Sequence, residues 1–274
     1  MPELPEVETI ANGVNRRVRG ESIVSAWFSK YKEPFKTPPA EMAAALAGLR
    51  IGRVYRVGKH IVADLTATGG RKTKAQWIVH LGMTGRLLVS APDVPLPPHT
   101  HAILQLASGR ELRFVDARRF GRLEFRSIEK GEFTGSGREP LTISVEDFAA
   151  LFRGRKLAVK AALLNQSLLH GVGNIYADES LFRAKIRPTR IAGRLTREPL
   201  SRLHKALQTV LKAAIRAGGS SVSDYVDADG VEGFFQIRHC VYGREGQPCR
   251  VCGTPIRRIV LAGRGTHFCP HCQG

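Results

Sequence analysis

The chain has 274 residues, 43% of them apolar, enough for a well-buried core and two domains, which excludes wholesale disorder. A total of 42 Lys and Arg against 24 Asp and Glu gives a net charge of +18, and so one-sided a balance favours nucleic acid as partner over generic solubility charge. No apolar run approaches the roughly 20 residues of a membrane span, and acidic residues stand where a secretory leader would be basic and then apolar, so a cytoplasmic protein is expected.

The chain opens Met1-Pro2-Glu3-Leu4-Pro5-Glu6-Val7-Glu8. A small residue after Met1 normally permits removal of the methionine, which would leave Pro2 as a free secondary amine. Such an amine is a nucleophile that can condense with a sugar aldehyde carbon to an iminium ion, and Glu3 beside it is a candidate proton donor. Val7, Ile10, Val14 and Val18 recur at helical spacing. The amine would therefore lie at a helix N-terminus, whose positive dipole end favours the neutral form. The same stretch also reads as an ordinary capped helix with acidic first-turn residues.

Short alternating or apolar runs follow: Ser22–Ser29, Gly48–Val57, Ile61–Leu65, Gln76–His80, Arg86–Ser90, Ala102–Leu106, Glu111–Val115 and Arg122–Phe125. Their β-branched content and the Gly and Pro between them predict strands, and strands in succession predict a sandwich or barrel. The segment from Pro92 to Pro98 reads as an exposed loop. Thr134-Gly135-Ser136-Gly137-Arg138 has linker composition. Beyond it the pattern turns helical: Ser144 and Asp147 resemble a capping box, Lys156–Leu169 is a second helical run, Asn174 is placed to cap a third over Ile175–Arg183, and Pro199–Ala217 is a fourth.

Cys249-x-x-Cys252 and Cys269-x-x-Cys272 close the chain, with 16 residues between the pairs. That spacing can set four thiolates tetrahedrally around one structural Zn²⁺; paired disulfides suit a secreted protein instead. Cys240 is left over and reads as a plain buried small residue. Arg264, in Gly263-Arg264-Gly265 between predicted strands, would sit at a hairpin tip able to reach a nucleic-acid groove.

Taken together, Pro2–Glu8, Gly58-Lys59-His60, His80–Gly85, Asp116-Ala117-Arg118-Arg119-Phe120-Gly121, Gly171–Glu179 and Gly263–Thr266 before the last Cys pair resemble, in order and over essentially the whole chain, the bacterial formamidopyrimidine-DNA glycosylases. The resemblance implies an α+β protein: an N-terminal β-sandwich with a flanking helix (1–132), a linker (133–143), a helical helix-two-turn-helix domain (144–240) with a lesion-recognition loop (218–233), and a four-cysteine zinc-finger hairpin (241–274). It implies a monomer that binds double-stranded DNA containing oxidised purines or abasic sites, associated with the nucleoid when on DNA. It further implies excision of 8-oxoguanine and formamidopyrimidines, then strand cleavage by β,δ-elimination.

In that scheme Pro2 is the Schiff-base nucleophile and Glu3 the proton donor. Lys59 and Arg264 contact phosphates and donate protons in the β- and δ-elimination steps. Met83, Arg118 and Phe120 match the trio that fills the hole left by the flipped nucleotide, a role that suits wedge residues. His99, Asn174 and Lys160 join them as DNA contacts. Gly219, Ser220, Ser221 and Tyr225 belong to a lid over the everted base, expected to be the most mobile part of the DNA-free protein. His60 and Thr84 depart from the family pattern at positions expected to lie away from the chemistry. Two alternatives stay open: an endonuclease VIII-like glycosylase for oxidised pyrimidines, and a zinc-containing DNA-binding protein without catalysis.

Overall fold

The computed structural model describes residues 1–221, 227–231 and 233–274. It divides into two compact units, residues 1–134 with 218–233 and residues 135–217 with 234–274. Loop 218–233 therefore packs with the first unit although it interrupts the second in sequence.

In the first unit, α1 (Leu4–Val18) begins with a reciprocal cap in which Glu3 N donates to Glu6 Oε2 at 2.9 Å. Leu4, Val7, Ile10, Val14 and Val18 are all fully buried, each contributing about 1.5–3 kcal/mol of apolar burial. β1 (Ile23–Phe28) leads into α2 (Pro39–Leu46), whose Pro39 stands at a position where no amide proton is needed. Then come β2 (Leu49–Val57), β3 (His60–Ala67), β4 (Thr73–His80), β5 (Arg86–Ser90), β6 (Thr100–Leu106), β7 (Glu111–Val115) and β8 (Arg122–Ser127). All neighbours pair antiparallel, in two four-stranded sheets ordered β1-β6-β7-β5 and β2-β3-β4-β8. Inward residues of both sheets, among them Ile23, Leu104 and Phe114 against Ile51, Trp77 and Val79, share one core with α1, so the expected sandwich forms.

The second unit contains α3 (Val145–Phe152), α4 (Val159–Leu164), α5 (Asn174–Arg183), α6 (Arg197–Arg216) and the hairpin β9 (Arg257–Leu261) and β10 (Arg264–Phe268). Ser144 Oγ accepts from Asp147 N at 3.0 Å, as its spacing predicts. The run expected to be helical from Lys156 to Leu169 is shorter. It stops at Leu164, where Asn165 Oδ1 accepts from Ser167 N and Gln166 Nε2 donates to the carbonyls of Leu164 and Val172. These side chains compete with helix continuation. Asn174 is the first residue of α5, whose cap is Gly173, so its side chain does not perform the capping task the sequence assigned it. Among the described residues no helix is long and apolar enough to cross a membrane.

Candidate active site and nucleic-acid interface

Around the chain start, Pro2 and Glu3 are buried, Glu3 being 4% exposed. With Met1 present the Pro2 nitrogen is a tertiary amide, which has no nucleophilic lone pair. Glu6, also buried, accepts from Glu3 N through one carboxylate oxygen and from Ser220 N through the other, at 2.8 Å. It thus ties the first turn of α1 to the root of loop 218–233. One turn further on, Glu8 pairs with Arg56 at 2.7 Å, and Arg56 donates to Gly58 O at 3.2 Å. Gly58, at φ +61°, and Lys59 form the tight turn between β2 and β3. A positive φ there favours glycine, and the Arg56 link braces the Lys59 turn from α1.

His60 follows that turn and pairs in register with His80 of β4, their rings 4.9 Å apart. Burial, with the nearby His60 and Lys59 charges, pushes His80 down to about 4, so its imidazole is neutral at physiological pH. His80 Nδ1 accepts from Gly82 N at 3.1 Å, which leaves His80 fixed at the start of the Met83 turn.

Met83 and Phe120 are 42% and 49% exposed. The Arg118 guanidinium lies 4.6 Å from the Phe120 ring centre. The two turns that carry these residues are locked together. A Cβ on Gly82 would lie 2.5 Å from Phe120 C, and one on Gly121 2.6 Å from the Phe114 ring. Beneath them Asp116, fully buried, accepts from Thr84 Oγ1 at 2.6 Å and from Gly121 N at 2.7 Å, while Thr84 Oγ1 accepts from Arg118 N at 3.3 Å. Thr84, set aside in the sequence as remote from the chemistry, is therefore the pin between the Met83 turn and the Arg118–Phe120 turn. His99, exposed and at φ +64°, joins the same assembly through its carbonyl, which accepts from Asp116 N at 3.0 Å.

Both ends of loop 218–233 are anchored. Gly218 and Gly219 have positive φ, and Gly233 packs so closely that its Cβ would fall 2.4 Å from Gly219 O. Gly233 N donates to Ser221 Oγ at 2.8 Å, and Val89 N of β5 donates to Ala228 O at 3.2 Å. Tyr225, with the rest of 222–226, lies outside the described residues, and so does the expectation of lid mobility.

In the second unit Lys160, expected among the DNA contacts, has its side chain inside the fold. It is fully buried, its ammonium 2.7 Å from Asp178 Oδ1 and donating to Gly265 O and Thr266 Oγ1 at 2.9 Å. A buried ammonium needs such partners, and here they fasten α4 and α5 to β10. Asn174 Nδ2 donates to the same Gly265 carbonyl at 2.9 Å, and His267 N donates to Asp178 Oδ2 at 2.9 Å. The hairpin turns through Ala262 and Gly263, both at positive φ, so the exposed Arg264 lies at its tip, in register with Leu261.

Cys249, Cys252, Cys269 and Cys272 bring their sulfurs within 4.8 Å of one another, with 3.5 Å between Cys252 and Cys269 and 3.9 Å between Cys249 and Cys272. A tetrahedral Zn–S₄ site with bonds of about 2.3 Å has edges of about 3.8 Å. Val251 N and Cys272 N donate to Cys249 Sγ and Cys269 Sγ at 3.4 Å, stabilising thiolate character. The donor set fits one closed, structural Zn²⁺. Cys240 stands apart from it, half-buried and not fully enclosed as the sequence suggested.

Residues 1–123 match the model of the formamidopyrimidine-DNA glycosylase N-terminal domain, 137–226 that of the H2TH domain of the same enzymes, and 246–274 the zinc finger found in FPG and IleRS. The formamidopyrimidine-DNA glycosylase of Solibacter usitatus is 46% identical over 273 residues, spanning 100% of this chain and 99% of that protein. The crystal structure of the MutM (FPG) protein from Thermus thermophilus superposes with a TM-score of 0.86 at 42% identity, covering 100% of this chain and 99% of that one. The Lactococcus lactis Fpg in complex with DNA containing an abasic site superposes with a TM-score of 0.88 at 33% identity and 99% coverage of both chains.

Proposed function

The chain belongs to the formamidopyrimidine-DNA glycosylase family, and from that premise we propose that it excises oxidised purines from duplex DNA through the Pro2 nitrogen and then cleaves the strand as an abasic-site lyase. Removal of Met1 converts the Pro2 amide into a secondary amine one residue before the cap of α1, where the helix dipole disfavours its protonation. The target nucleotide leaves the stack, since its anomeric carbon is hidden in a duplex. The Pro2 nitrogen donates its lone pair to C1′, the glycosidic bond between C1′ and the base breaks, and the base departs with the bonding electrons and takes up the proton that the Pro2 nitrogen releases. Glu3 protonates the ring oxygen, the sugar opens, and an iminium forms.

The iminium acidifies the C2′ protons. Loss of one expels the 3′ phosphate, and a second elimination expels the 5′ phosphate, with Lys59 and Arg264 holding the phosphates and supplying protons to them. Water then hydrolyses the iminium and frees the amine. Met83, Arg118 and Phe120 enter the space the nucleotide vacates, with Arg118 facing the estranged base. His99, Asn174 and Arg264 contact backbone phosphates, and Gly219, Ser220, Ser221 and Tyr225 close over the base. The Zn²⁺ holds the hairpin and takes no part in bond making. The working compartment is the cytoplasm, on nucleoid DNA.

The observation that carries this reading is the buried Pro2-Glu3 pair whose first turn is tied through Glu6 to loop 218–233. Borohydride trapping on 8-oxoguanine:cytosine and thymine-glycol duplexes in competition tests it. A covalent adduct formed preferentially with the purine lesion is expected. No adduct would leave a non-catalytic DNA binder, and preference for thymine glycol would move the substrate to oxidised pyrimidines.

A further inference from the structure

The second unit contains a cavity of about 470 Å³ that the proposed chemistry does not use. Its walls are apolar: Phe182 of α5, Val210 and Ala213 of α6, Phe235 and Val251. One wall is built by Glu179, which accepts from the backbone nitrogens of Cys240, Val241 and Tyr242 at 2.9–3.0 Å and so holds that segment against α5. The apolar surface continues outward, since Val251 is 72% exposed, a large value for a valine at a cavity mouth. Around the cavity stand Arg183, Lys185 and Arg238, all exposed, and its single acid is the buried, already bonded Glu179. Arg250 adds a fourth cation beside them, donating to Ile237 O at 3.1 Å.

Position separates this feature from the phosphate-facing residues of the same unit. Asn174 and Arg183 stand at opposite ends of α5, about 14 Å apart along the axis at a rise of 1.5 Å per residue. Burying the hydrogen-bonding edges of a nucleobase against Phe182, Val210, Ala213, Phe235 and Val251 would also cost free energy that an apolar side chain does not incur.

We propose that this cavity is a docking site for a partner protein's acidic peptide segment carrying a bulky apolar anchor residue. The anchor fills the space between α5 and α6, and flanking carboxylates meet Arg183, Lys185, Arg238 and Arg250. An apolar anchor in a pocket with charge-complementary flanks gives affinity and specificity together.

The test uses the full-length zinc-loaded protein and a fluorescein-labelled peptide of four aspartates followed by Leu-Phe, read by fluorescence anisotropy. A control peptide ends in two alanines. The anchored peptide is expected to bind at least tenfold tighter than the control. Arg238→Glu and Ala213→Leu, which fills the cavity, should each weaken it about tenfold while leaving lesion excision unchanged. A lesion duplex should bind alongside the peptide. Equal affinity for the two peptides, or indifference to both substitutions, would overturn the proposal. Displacement of the peptide by the duplex would do so too, because the surface would then belong to the DNA footprint. If Ala213→Leu fails to fold, the exposed Arg238→Glu decides.

Discussion

Replacing Thr84 by Val removes one hydroxyl and leaves the side-chain outline nearly unchanged. That hydroxyl donates to the fully buried Asp116 carboxylate at 2.6 Å and accepts from Arg118 N at 3.3 Å. A hydrogen bond to a charged, buried group contributes about 1.5–3 kcal/mol, and the orphaned acceptor adds a desolvation cost. If the bond serves to hold the Met83 and Arg118–Phe120 turns as one wedge, the same energy appears as a loss of about 10- to 150-fold in excision from duplex DNA. The assay is single-turnover excision of 8-oxoguanine from a matched duplex and from a bulge in which the lesion is already extrahelical. Thr84→Val should lose most of its activity on the first and much less on the second, and Thr84→Ser should restore both. Equal deficits on the two substrates, or failure of Ser to rescue, would refute the idea that Thr84 acts through the wedge.

Other consequences follow from the same geometry. Arg264→Ala should weaken duplex binding and reduce the slope of log affinity against log salt by about 0.9, the share of one phosphate contact; an unchanged slope would remove Arg264 from the phosphate contacts. Lys160→Met leaves the buried Asp178 without its lysine partner and should lower unfolding stability by about 3–5 kcal/mol in denaturant titration. A loss under about 1 kcal/mol would show that the pair is not needed to hold the hairpin. His80 and His239 are both pushed down to about 4, chiefly by burial. The folded protein therefore prefers them neutral. Their contribution is complete above pH about 6.5 and declines as pH falls towards 4, by up to about 1.4 kcal/mol per pH unit for each. NMR titration of the two imidazoles should give values near 4, and values near 6.5 would contradict the burial argument.

Local pattern carried much of the fold. Alternating or apolar runs placed all eight sandwich strands to within a few residues, because each is bounded by Gly, Pro or polar turns. α2 was not read from the sequence. Its consecutive Pro38 and Pro39 look like loop, yet Pro39 opens the helix and Met42 and Leu46, one turn apart, are its buried face. The surroundings of Lys160 are not legible in the sequence. Its burial depends on Asp178 and on Gly265, 105 residues further along, pairings that no local window contains. Asp116 and Thr84 are 32 residues apart, and the Glu6–Ser220 link spans 214. Thr84 and Glu6 therefore read as an ordinary loop hydroxyl and a capping acid until the fold brings their partners to them. The zinc site was legible because its spacing is itself the geometry.

Intact-protein and peptide mass spectrometry of the borohydride-reduced complex with an 8-oxoguanine duplex addresses the central claim. Protein lacking Met1 should carry the reduced sugar–DNA remnant on the peptide that begins at Pro2, and protein that retains Met1 should carry none. A remnant mapped to any other residue, or an adduct of equal yield on the Met1-bearing protein, would contradict catalysis by the Pro2 nitrogen.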